Sequence, residues 1–301
     1  MKFVVLSRSS RLYSTRRIVH AARTRGHTVQ VTDTLQYIMG VSTRKPVLLY
    51  RGRPLGRVDI VIPRIGASIT EFGLSVVRQY EMLDVFCVNE SQAIARSRDK
   101  LRSIQILSAH DVGLVPTAFA RGKDQLRAAI NLVGGPPVVV KLLQGTQGAG
   151  VVLAESRQAA ESVVDAFSAI NQAILVQAFV PEAGGQDVRA VVVGGKVVAA
   201  MTRKAIEGEF RSNLHRGGSA KPAKLTADER RTAVRAARAL GLSVAGVDML
   251  RSNHGPLVME VNSSPGLEGI EKATGADVAG AIVDWAARRA RPGPMRDRVR
   301  R

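Results

Sequence analysis

The sequence contains a single cysteine, Cys87, and aromatic residues make up only 4% of it. One cysteine cannot form an internal disulfide or a thiolate cluster for a metal, and the five histidines show no zinc-binding spacing. Cys87 lies in the apolar segment DVFCVN, where a small buried side chain is the expected role. The sequence therefore argues against a disulfide-stabilised secreted domain and predicts a protein of the reducing cytoplasm.

Long apolar runs and the common nucleotide-binding fingerprints are also missing. No apolar run is long enough to cross a bilayer, and the run FVVL near the N-terminus is too short for a signal peptide. Residues 7–11, which follow that run, lack the GxGxxG pattern, and no GK[ST] follows the glycine-rich segment at residues 141–150. A membrane span, a dinucleotide-binding loop and a P-loop are therefore not expected.

Negative charge is scarce relative to positive charge. The chain has 44 Lys and Arg residues against 25 Asp and Glu residues, for a formal net charge of +19. Such a balance indicates attraction to nucleic acid, phosphates or acidic peptides. An arginine-favouring genome would also raise the count, and some arginines decorate one helix surface (Arg230, Arg231, Arg235 and Arg238). The charge thus favours an anionic partner without identifying it.

Strand and helix patterns alternate over residues 1–90, which predicts a small parallel sheet covered by helices. Arg64, Gly66 and Ser68 follow one of these strands, at the carboxyl end where open α/β sheets place ligands, and so are candidate substrate contacts. A helix is expected over residues 91–110, with Lys100 near its middle and exposed to solvent by default.

Residues 115–180 predict two strand–helix–strand units on either side of the glycine-rich segment KLLQGTQGAG. Gly145, Gly148 and Gly150 allow a tight turn whose backbone N–H groups point at a phosphate, and Lys141 on the preceding strand would add a positive charge. Glycine-rich hairpins also occur without a ligand. The segment alone therefore leaves phosphate binding and a simple turn as alternatives.

A second hairpin is predicted over residues 187–205, followed by a polar segment at residues 203–218. This segment is rich in hydrogen-bond donors: Arg203, Arg211, Asn213, His215 and Arg216. It is either a binding loop or a disordered surface loop. A capping box at residues 226–229 predicts the start of a helix, a last helix is expected over residues 276–290, and the arginine-rich residues 291–301 should be disordered or act as an electrostatic tether.

The last predicted hairpin brings two carboxylates together. Two apolar runs flank a turn-forming segment at residues 253–256, and a turn centred near His254 would set Asp248 opposite Glu260. Asn262, two residues further on, then points the same way as Glu260. Opposed carboxylates repel unless a cation offsets them, and three oxygen ligands suit Mg²⁺ or Mn²⁺. An edge hairpin whose acids face water is the alternative.

Taken together and in order, these residues resemble the ATP-grasp superfamily. The residues that carry the resemblance are Lys100, Lys141 with QGTQGAG, Gln177, Asp187, Arg203, Arg211-Ser212-Asn213, Asp248 and Glu260-Val261-Asn262. More closely, the sequence is similar to the RimK-type ligases, which add glutamate to the C-terminus of a small-subunit ribosomal protein. The segments that carry this similarity are IPRIGASIT, NESQAIARSRDKLRSIQIL, VVKLLQGTQGAGVVLAE, FRSNLHRGG and VMEVNSSPGLEGIEKATG.

The resemblance implies an ATP-grasp fold of mixed α/β and α+β class. It divides the chain into a parallel α/β domain at residues 1–90, two α+β lobes that enclose ATP at residues 91–176 and 177–290, and a tail at residues 291–301. The implied ATP contacts are Lys100, Lys141, Gly145 and Gly148 for the phosphates, Gln177, Ala178 and Phe179 for adenine, Asp187 for the ribose, and Arg211, Ser212 and Asn213. RimK-like linkers often carry an acidic residue where this chain has Ala178, and a changed nucleotide preference follows if that side chain contributes.

The implied reaction attaches free glutamate to an acceptor carboxylate through an acyl phosphate and releases ADP and phosphate. Arg203, Arg211 and Asn213 would contact the acyl phosphate and acceptor, and Asp248, Glu260 and Asn262 would bind one or two Mg²⁺ or Mn²⁺ ions. The implied acceptor is the acidic C-terminus of a ribosomal protein, with a ribosome contact and a homotetrameric assembly. The alternatives are an ATP-grasp ligase for another amino acid or a carrier protein, and a nucleotide-regulated RNA- or ribosome-binding module that lacks ligase activity.

The net positive charge leads to a test of acceptor binding. If surface charge holds an acidic acceptor, raising the salt concentration from about 50 to about 500 mM should raise the KM for an acidic acceptor peptide on the order of tenfold, because counterions screen exposed charges. Steady-state ADP release at both salt concentrations measures this KM. An acceptor KM that does not change with salt would contradict the interpretation.

Overall fold

We describe the protein from a computed structural model, which covers residues 1–43, 45–121, 123–142, 150–168, 173–206, 209–210 and 217–290. Within these ranges the chain forms four sheets, one parallel and three antiparallel. None of the helices in these ranges is long and apolar enough to cross a membrane.

The first part of the chain alternates strands and helices as predicted, with three additional strands. Its elements are β1 (Lys2–Leu6), α1 (Tyr13–Thr24), β2 (Thr28–Thr32), β3 (Tyr37–Gly40), β4 (Val47–Tyr50), β5 (Arg53–Pro54), β6 (Ile60–Pro63), α2 (Thr70–Met82) and β7 (Phe86–Cys87). Strands β2, β1, β6 and β7 pair in that order, and every pair is parallel. The predicted parallel sheet, called the N-terminal sheet below, is confirmed.

The two central strands of the N-terminal sheet are apolar along their length. The side chains from Phe3 to Leu6 on β1 are fully buried, as are Ile60 and Val61 on β6, which is typical of parallel strands covered on both faces. Strands β3, β4 and β5, which the sequence analysis missed, form a separate three-stranded antiparallel sheet. Each has at most four residues, too few for an alternating pattern to identify them.

The middle of the chain contains two helices where one was predicted, and then an antiparallel sheet. Its elements are α3 (Ser91–Arg98), α4 (Lys100–Ser108), β8 (Thr117–Ala120), α5 (Lys123–Leu132), β9 (Val138–Leu142), β10 (Val151–Ala154), α6 (Arg157–Ser168) and β11 (Ile174–Ala178). Strands β10, β9, β11 and β8 pair in that order and form the central sheet.

The prediction of one continuous helix over residues 91–110 is wrong. Asp99 interrupts it with an extended backbone, and its carboxylate accepts the N–H of Arg102 at 3.0 Å as the N-cap of α4. Asp is a strong N-cap residue because its side chain satisfies a helix N–H that has no partner within the helix. Lys100 is consequently the first residue of α4 rather than a residue in the middle of a helix.

The last part of the described chain is a five-stranded antiparallel sheet with three helices. Its elements are β12 (Gln186–Val193), β13 (Lys196–Lys204), β14 (Ser219–Pro222), α7 (Ala227–Ala239), β15 (Val244–Ser252), β16 (Gly255–Asn262), α8 (Glu268–Thr274) and α9 (Val278–Arg289). Strands β14, β13, β12, β15 and β16 pair in that order and form the C-terminal sheet. The predicted capping box is confirmed, with Thr226 and Glu229 bonding each other's backbone N–H groups at the start of α7.

The C-terminal sheet has two covered faces. Val188, Ala190 and Val247 belong to an apolar layer beneath α7. Val191 and Met201 belong to a second layer, which also contains residues of β1, β6, α1 and α9. The second face therefore joins the C-terminal sheet to the N-terminal sheet.

Asn89, just after β7, fixes this junction by hydrogen bonds. It is 3% exposed, and its amide nitrogen donates to the carbonyls of Val244 and Ser263 at 2.7 and 2.9 Å. Its amide oxygen accepts the N–H groups of Ser243 and Val244 at 2.9 and 3.0 Å. A single buried side chain thus satisfies four backbone groups of the C-terminal sheet and its extension.

Replacing Asn89 by Ala should destabilise the protein strongly. The change leaves four backbone groups without partners, and we expect the free energy of unfolding to fall by about 3 kcal/mol. Urea titration followed by circular dichroism measures the loss. Asn131→Ala, at an exposed asparagine of α5, is the matched control and should change stability by less than about 0.5 kcal/mol. Equal stability of the two variants would contradict the role of Asn89.

Candidate active site

The hairpin of β15 and β16 sets Asp248 opposite Glu260, as the sequence predicts. The Asp248 side chain is 2% exposed, whereas Glu260 faces solvent. Asn262 Nδ2 donates to Glu260 Oε1 at 3.0 Å, so these two side chains also lie on one side of the strand. The structure therefore brings the three predicted metal ligands to one face of the C-terminal sheet.

A β-bulge produces this pairing. The turn between β15 and β16 has two residues, so an uninterrupted ladder would pair Asp248 with Met259. Instead Met249 pairs with Val258 while Asp248 pairs with Glu260, which leaves Met259 as an extra residue on β16. Because side chains alternate along a strand, the extra residue turns Glu260 to the side of Asp248.

Asp248 belongs to a buried network of two carboxylates and two guanidinium groups. Arg189 donates from Nε and Nη2 to the two oxygens of Asp248 at 2.6 and 2.5 Å. Arg203 donates in the same paired manner to Asp187, at 2.6 and 2.7 Å, and its Nη2 also donates to Asp248 Oδ2 at 2.9 Å. Asp187, Arg203 and Asp248 are each at most 5% exposed, so the network is shielded from water.

Strand register explains why these four side chains meet. Arg189 on β12 pairs with Asp248 on β15, and Asp187 pairs with Arg203 on β13. Asp187 and Arg189 are two residues apart and so point to the same face, while Val188 between them enters the layer beneath α7. Neighbouring strands thus supply opposite charges at matching positions.

The ion pairs of the network shift the pKa values of its members so that they stay charged. Burial alone would raise the pKa of the Asp248 carboxyl group, but Arg189 and Arg203 hold that pKa well below its usual range. Burial would likewise lower the pKa of Arg203, but Asp248 and Asp187 raise it above its usual value. Asp248, Arg189 and Arg203 are therefore charged at neutral pH, and Asp187 pairs with Arg203 through both carboxylate oxygens.

Lys141 lies on β9 of the central sheet, and Lys100, at the start of α4, lies beside the same strand. Lys141 Nζ donates to Gln177 Oε1 at 2.5 Å, and Gln177 Nε2 donates to Thr117 Oγ1 at 2.9 Å. Lys100 Nζ donates to the carbonyl of Leu142 at 3.1 Å. Burial lowers the pKa of Lys141 to about 8, with Glu260 opposing the decrease and Lys100 adding to it. These lysines form a positively charged site suited to an anion.

Glu260 lies within electrostatic reach of four cationic side chains. Its negative charge favours the protonated forms of Lys100, Lys141, Arg98 and Arg189. These groups come from α4, β9, α3 and β12, so both the central and the C-terminal sheets contribute. We call this positively charged region, between the two antiparallel sheets, the cleft.

The remaining predicted site residues lie beside this cleft or outside the described residues. Ala178 is the last residue of β11, and its N–H donates to the carbonyl of Pro116 at 2.9 Å; Phe179 follows and donates to the carbonyl of Pro137 at 3.3 Å. The predicted residues outside the described ranges are Gly145, Gly148, Arg211, Ser212 and Asn213.

Two arginines that the sequence analysis did not select belong to this region. Arg189 binds Asp248, and its position two residues after Asp187 on a predicted strand was a usable signal, since both side chains must share a face. Arg98 lies two residues before Lys100, but its proximity depends on the break at Asp99, which we had not predicted. Sequence spacing alone therefore could not place Arg98.

The donor chemistry of the hairpin fits a hard divalent cation. Asp248, Glu260 and Asn262 offer only oxygen ligands, as Mg²⁺ requires. Asp248 Oδ1 accepts one hydrogen bond, from Arg189, and so retains a lone pair for a metal. The described residues contain no group of three or more His, Cys, Asp and Glu that could hold a metal, so the amide of Asn262 is needed to complete a set of three ligands.

The fold that encloses this cleft between two antiparallel sheets is the ATP-grasp fold. Residues 97–286 match the RimK-like ATP-grasp domain family, and residues 1–94 match the RimK PreATP-grasp domain family. The chain belongs to the RimK-like ATP-grasp family and is an enzyme of the ligase class.

Relatives extend the similarity over the whole chain. The chain is 59% identical over 300 residues to a protein of Ectopseudomonas mendocina named probable alpha-L-glutamate ligase, with 100% of both chains covered. It is 61% identical to a protein of the same name from Thioalkalivibrio sulfidiphilus, with 97% of each covered.

Solved structures show the same fold at lower identity. A RimK domain ATP-grasp protein of Sphaerobacter thermophilus superposes with a TM-score of 0.70 at 24% identity, covering 95% of this chain and 100% of its own. The ATP-grasp ligase PsnB, solved with a variant of its minimal precursor, Mg and ADP, gives a TM-score of 0.75 at 19% identity and covers 96% of this chain and 98% of its own.

The environment of Lys141 leads to a prediction about its pKa. Glu260→Gln should lower the pKa of Lys141 further below about 8, because a favourable negative charge is lost, whereas Lys100→Met should raise it by removing a like charge. NMR titration of ¹³C-methylated lysines in EDTA measures both shifts. Glu161→Gln, at a half-buried residue of α6 whose carboxylate lies 3.9 Å from Arg127, should leave the pKa unchanged. Shifts of the opposite sign would refute this description of the cleft.

Proposed function

We propose that the protein is an ATP-dependent ligase that joins the amine of free glutamate to the C-terminal carboxylate of a small-subunit ribosomal protein. The observation that carries the proposal is the opposition of Asp248 and Glu260 on the C-terminal sheet, with Lys100 and Lys141 within electrostatic reach of Glu260. Such a site suits the phosphates of ATP. Relatives about 60% identical named as glutamate ligases support glutamate as the amine donor.

In this proposal ATP lies between the central and C-terminal sheets. Lys100 and Lys141 bind its phosphates, together with the glycine-rich segment that contains Gly145 and Gly148. Residues 177–179 contact the adenine, and the N–H of Ala178 donates to the carbonyl of Pro116, so this N–H is not available to the base. Asp187 is the proposed ribose contact, which rests on the family resemblance.

A divalent cation completes the site. Asp248, Glu260 and Asn262 would hold one or two Mg²⁺ or Mn²⁺ ions, which neutralise phosphate charge when bound. The pairing of Asp248 with Arg189 and Arg203 keeps this ligand ionised and fixes its orientation. The arginine network therefore prepares the metal ligand before the cation arrives.

The proposed reaction has two steps. An oxygen of the acceptor carboxylate attacks the γ-phosphorus of ATP, and ADP leaves with the electrons of the broken P–O bond. The glutamate amine then attacks the acyl carbon, loses a proton and displaces phosphate. Phosphoryl transfer needs positioning and positive charge more than a protein nucleophile, and Lys100 and Lys141 provide both.

Arg203, Arg211 and Asn213 are the proposed contacts of the acyl phosphate and acceptor. Arg203 uses Nε and Nη2 for Asp187 and Asp248, so its Nη1 is the group that can meet an oxyanion. Contact with the ribosome and assembly into a homotetramer are further parts of the proposal, and they rest on the family resemblance.

Ligase activity is tested by incubating the protein with ATP, Mg²⁺, glutamate and a peptide that ends in the acidic C-terminus of a ribosomal protein. Glutamate-dependent ADP release and a series of glutamate-mass additions to the peptide are expected. Glu260→Gln should lower the rate by at least about 100-fold, because an exposed carboxylate ligand is lost without a change in shape.

Glu161→Gln is the control and should retain full activity, since Glu161 lies on α6 and its carboxylate pairs with Arg127 and not with a residue of the proposed site. ADP release without added mass would show that another amine or acceptor is used. Nucleotide binding with no turnover for any amino acid and acidic acceptor would overturn the ligase proposal.

A further inference from the structure

The strand order of the N-terminal sheet creates a crevice of the kind that binds ligands in open parallel sheets. The chain runs from β1 outward to β2, and later returns to the other side of β1 as β6, so the strand order reverses between β1 and β6. Open parallel sheets bind ligands in the crevice at the carboxyl ends of such strands. Arg64 is the residue that follows β6 and stands at this crevice.

Arg64 reaches from the N-terminal sheet to the end of the metal-binding hairpin. Its Nη2 donates to the carbonyl of Pro265 at 2.8 Å, three residues beyond Asn262. Ser264 Oγ lies 3.5 Å from the carbonyl of Pro63, on the same junction. The crevice of the N-terminal sheet therefore opens onto the cleft that contains Glu260.

Arg98 is the second guanidinium group at this place. Its Nη2 donates to the carbonyl of Ile65, the residue after Arg64. Its Nε is buried without a hydrogen-bond partner among the described residues. The charge of Glu260 acts on Arg98, which places this arginine between the N-terminal crevice and the cationic cleft.

These two arginines lack a protein carboxylate of their own. In the described part of the chain neither forms an ion pair, in contrast to Arg189 and Arg203. Both arginines are half-buried, and burial together with the neighbouring charge of Arg98 lowers the pKa of Arg64 to about 10. A guanidinium group without an ion-pair partner is suited to bind a carboxylate, whose two oxygens accept two of its N–H groups.

We propose that Arg64 and Arg98 bind a carboxylate group of the incoming glutamate, an inference that rests on the proposed function. The acceptor carboxylate must reach the γ-phosphate beside Lys100 and Lys141. The crevice at the carboxyl ends of β1 and β6 does not contain those lysines, but it adjoins the same cleft. An amine donor can therefore approach the acyl carbon from this crevice. The pair then holds the donor by an anionic group and directs its amine toward the acyl carbon.

Steady-state kinetics of Arg64→Met and Arg98→Met test this assignment. The KM for glutamate should rise by at least about 30-fold in each variant, because a charged hydrogen-bonded partner is lost. The KM values for ATP and acceptor peptide should stay within about twofold of wild type, since those ligands bind elsewhere. Arg102→Met, at an exposed residue of α4, is the matched control.

Two analogues identify which carboxylate is bound. Glutamine lacks the side-chain carboxylate and isoglutamine lacks the α-carboxylate. The wild-type protein should discriminate against the analogue that lacks the bound group, and the arginine variants should lose that discrimination. A purely structural role would change stability without changing the preference between glutamate and its amides.

Calorimetric titration of glutamate into the protein with ADP and Mg²⁺ separates this inference from ligase activity. Glutamate binding that disappears in the variants supports the site even if the wild type forms no product. Wild type without glutamate binding, variants that bind glutamate normally, or a rise in the acceptor KM alone would each overturn it. Arg64→Lys and Arg98→Lys, which keep the charge but lose the paired donors, replace the Met variants if those do not fold, and they should also weaken glutamate binding.

Discussion

The buried pairing of Asp187 and Asp248 with Arg203 and Arg189 is the interaction on which the cleft depends. Carboxylates at most 3% exposed would be too costly to keep ionised alone, and each here faces a guanidinium group from the neighbouring strand. The pairs hold only while three strands keep one register. Because the charges cancel within the network, the positive potential for an anion comes from Lys100 and Lys141 at its edge.

The sequence was sufficient for elements whose local chemistry determines them. The capping box at Thr226 was predicted and is present. The opposition of Asp248 and Glu260 was also predicted and is present, but it arises from the bulge at Met259, which was not predicted. Contacts that form only when distant elements pack together could not be predicted from the sequence. The break at Asp99 was overlooked because apolar spacing continues across it. The face shared by Asp187 and Arg189 could have been predicted, but the pairing of Arg189 with Asp248 became evident only when β12 paired with β15. The roles of the predicted residues in ATP, metal and acceptor binding remain predictions.

Hydrogen bonds and ion pairs, as well as an apolar layer, join the N-terminal sheet to the C-terminal sheet beside the cleft. Asn89 bonds the backbone at both ends of the hairpin of β15 and β16, and Arg64 bonds the carbonyl of Pro265 just beyond it. On the outer side, Arg17 of α1 pairs with Glu271 at 2.8 Å and Arg25 pairs with Asp284 at 2.6 Å. These contacts position the carboxyl ends of β1 and β6 beside residues that come from the far end of the chain.

The bulge at Met259 means that the chemistry of β16 is set by strand register and not only by residue identity. If the same residues formed an uninterrupted ladder, Glu260 would lie opposite Val247, beneath α7, and the apolar Val261 would turn toward the cleft. A change from the bulged to the regular pairing would thus exchange the inner and outer faces of the strand end while leaving every amino acid unchanged. In this hairpin the pairing register acts as a determinant of charge placement.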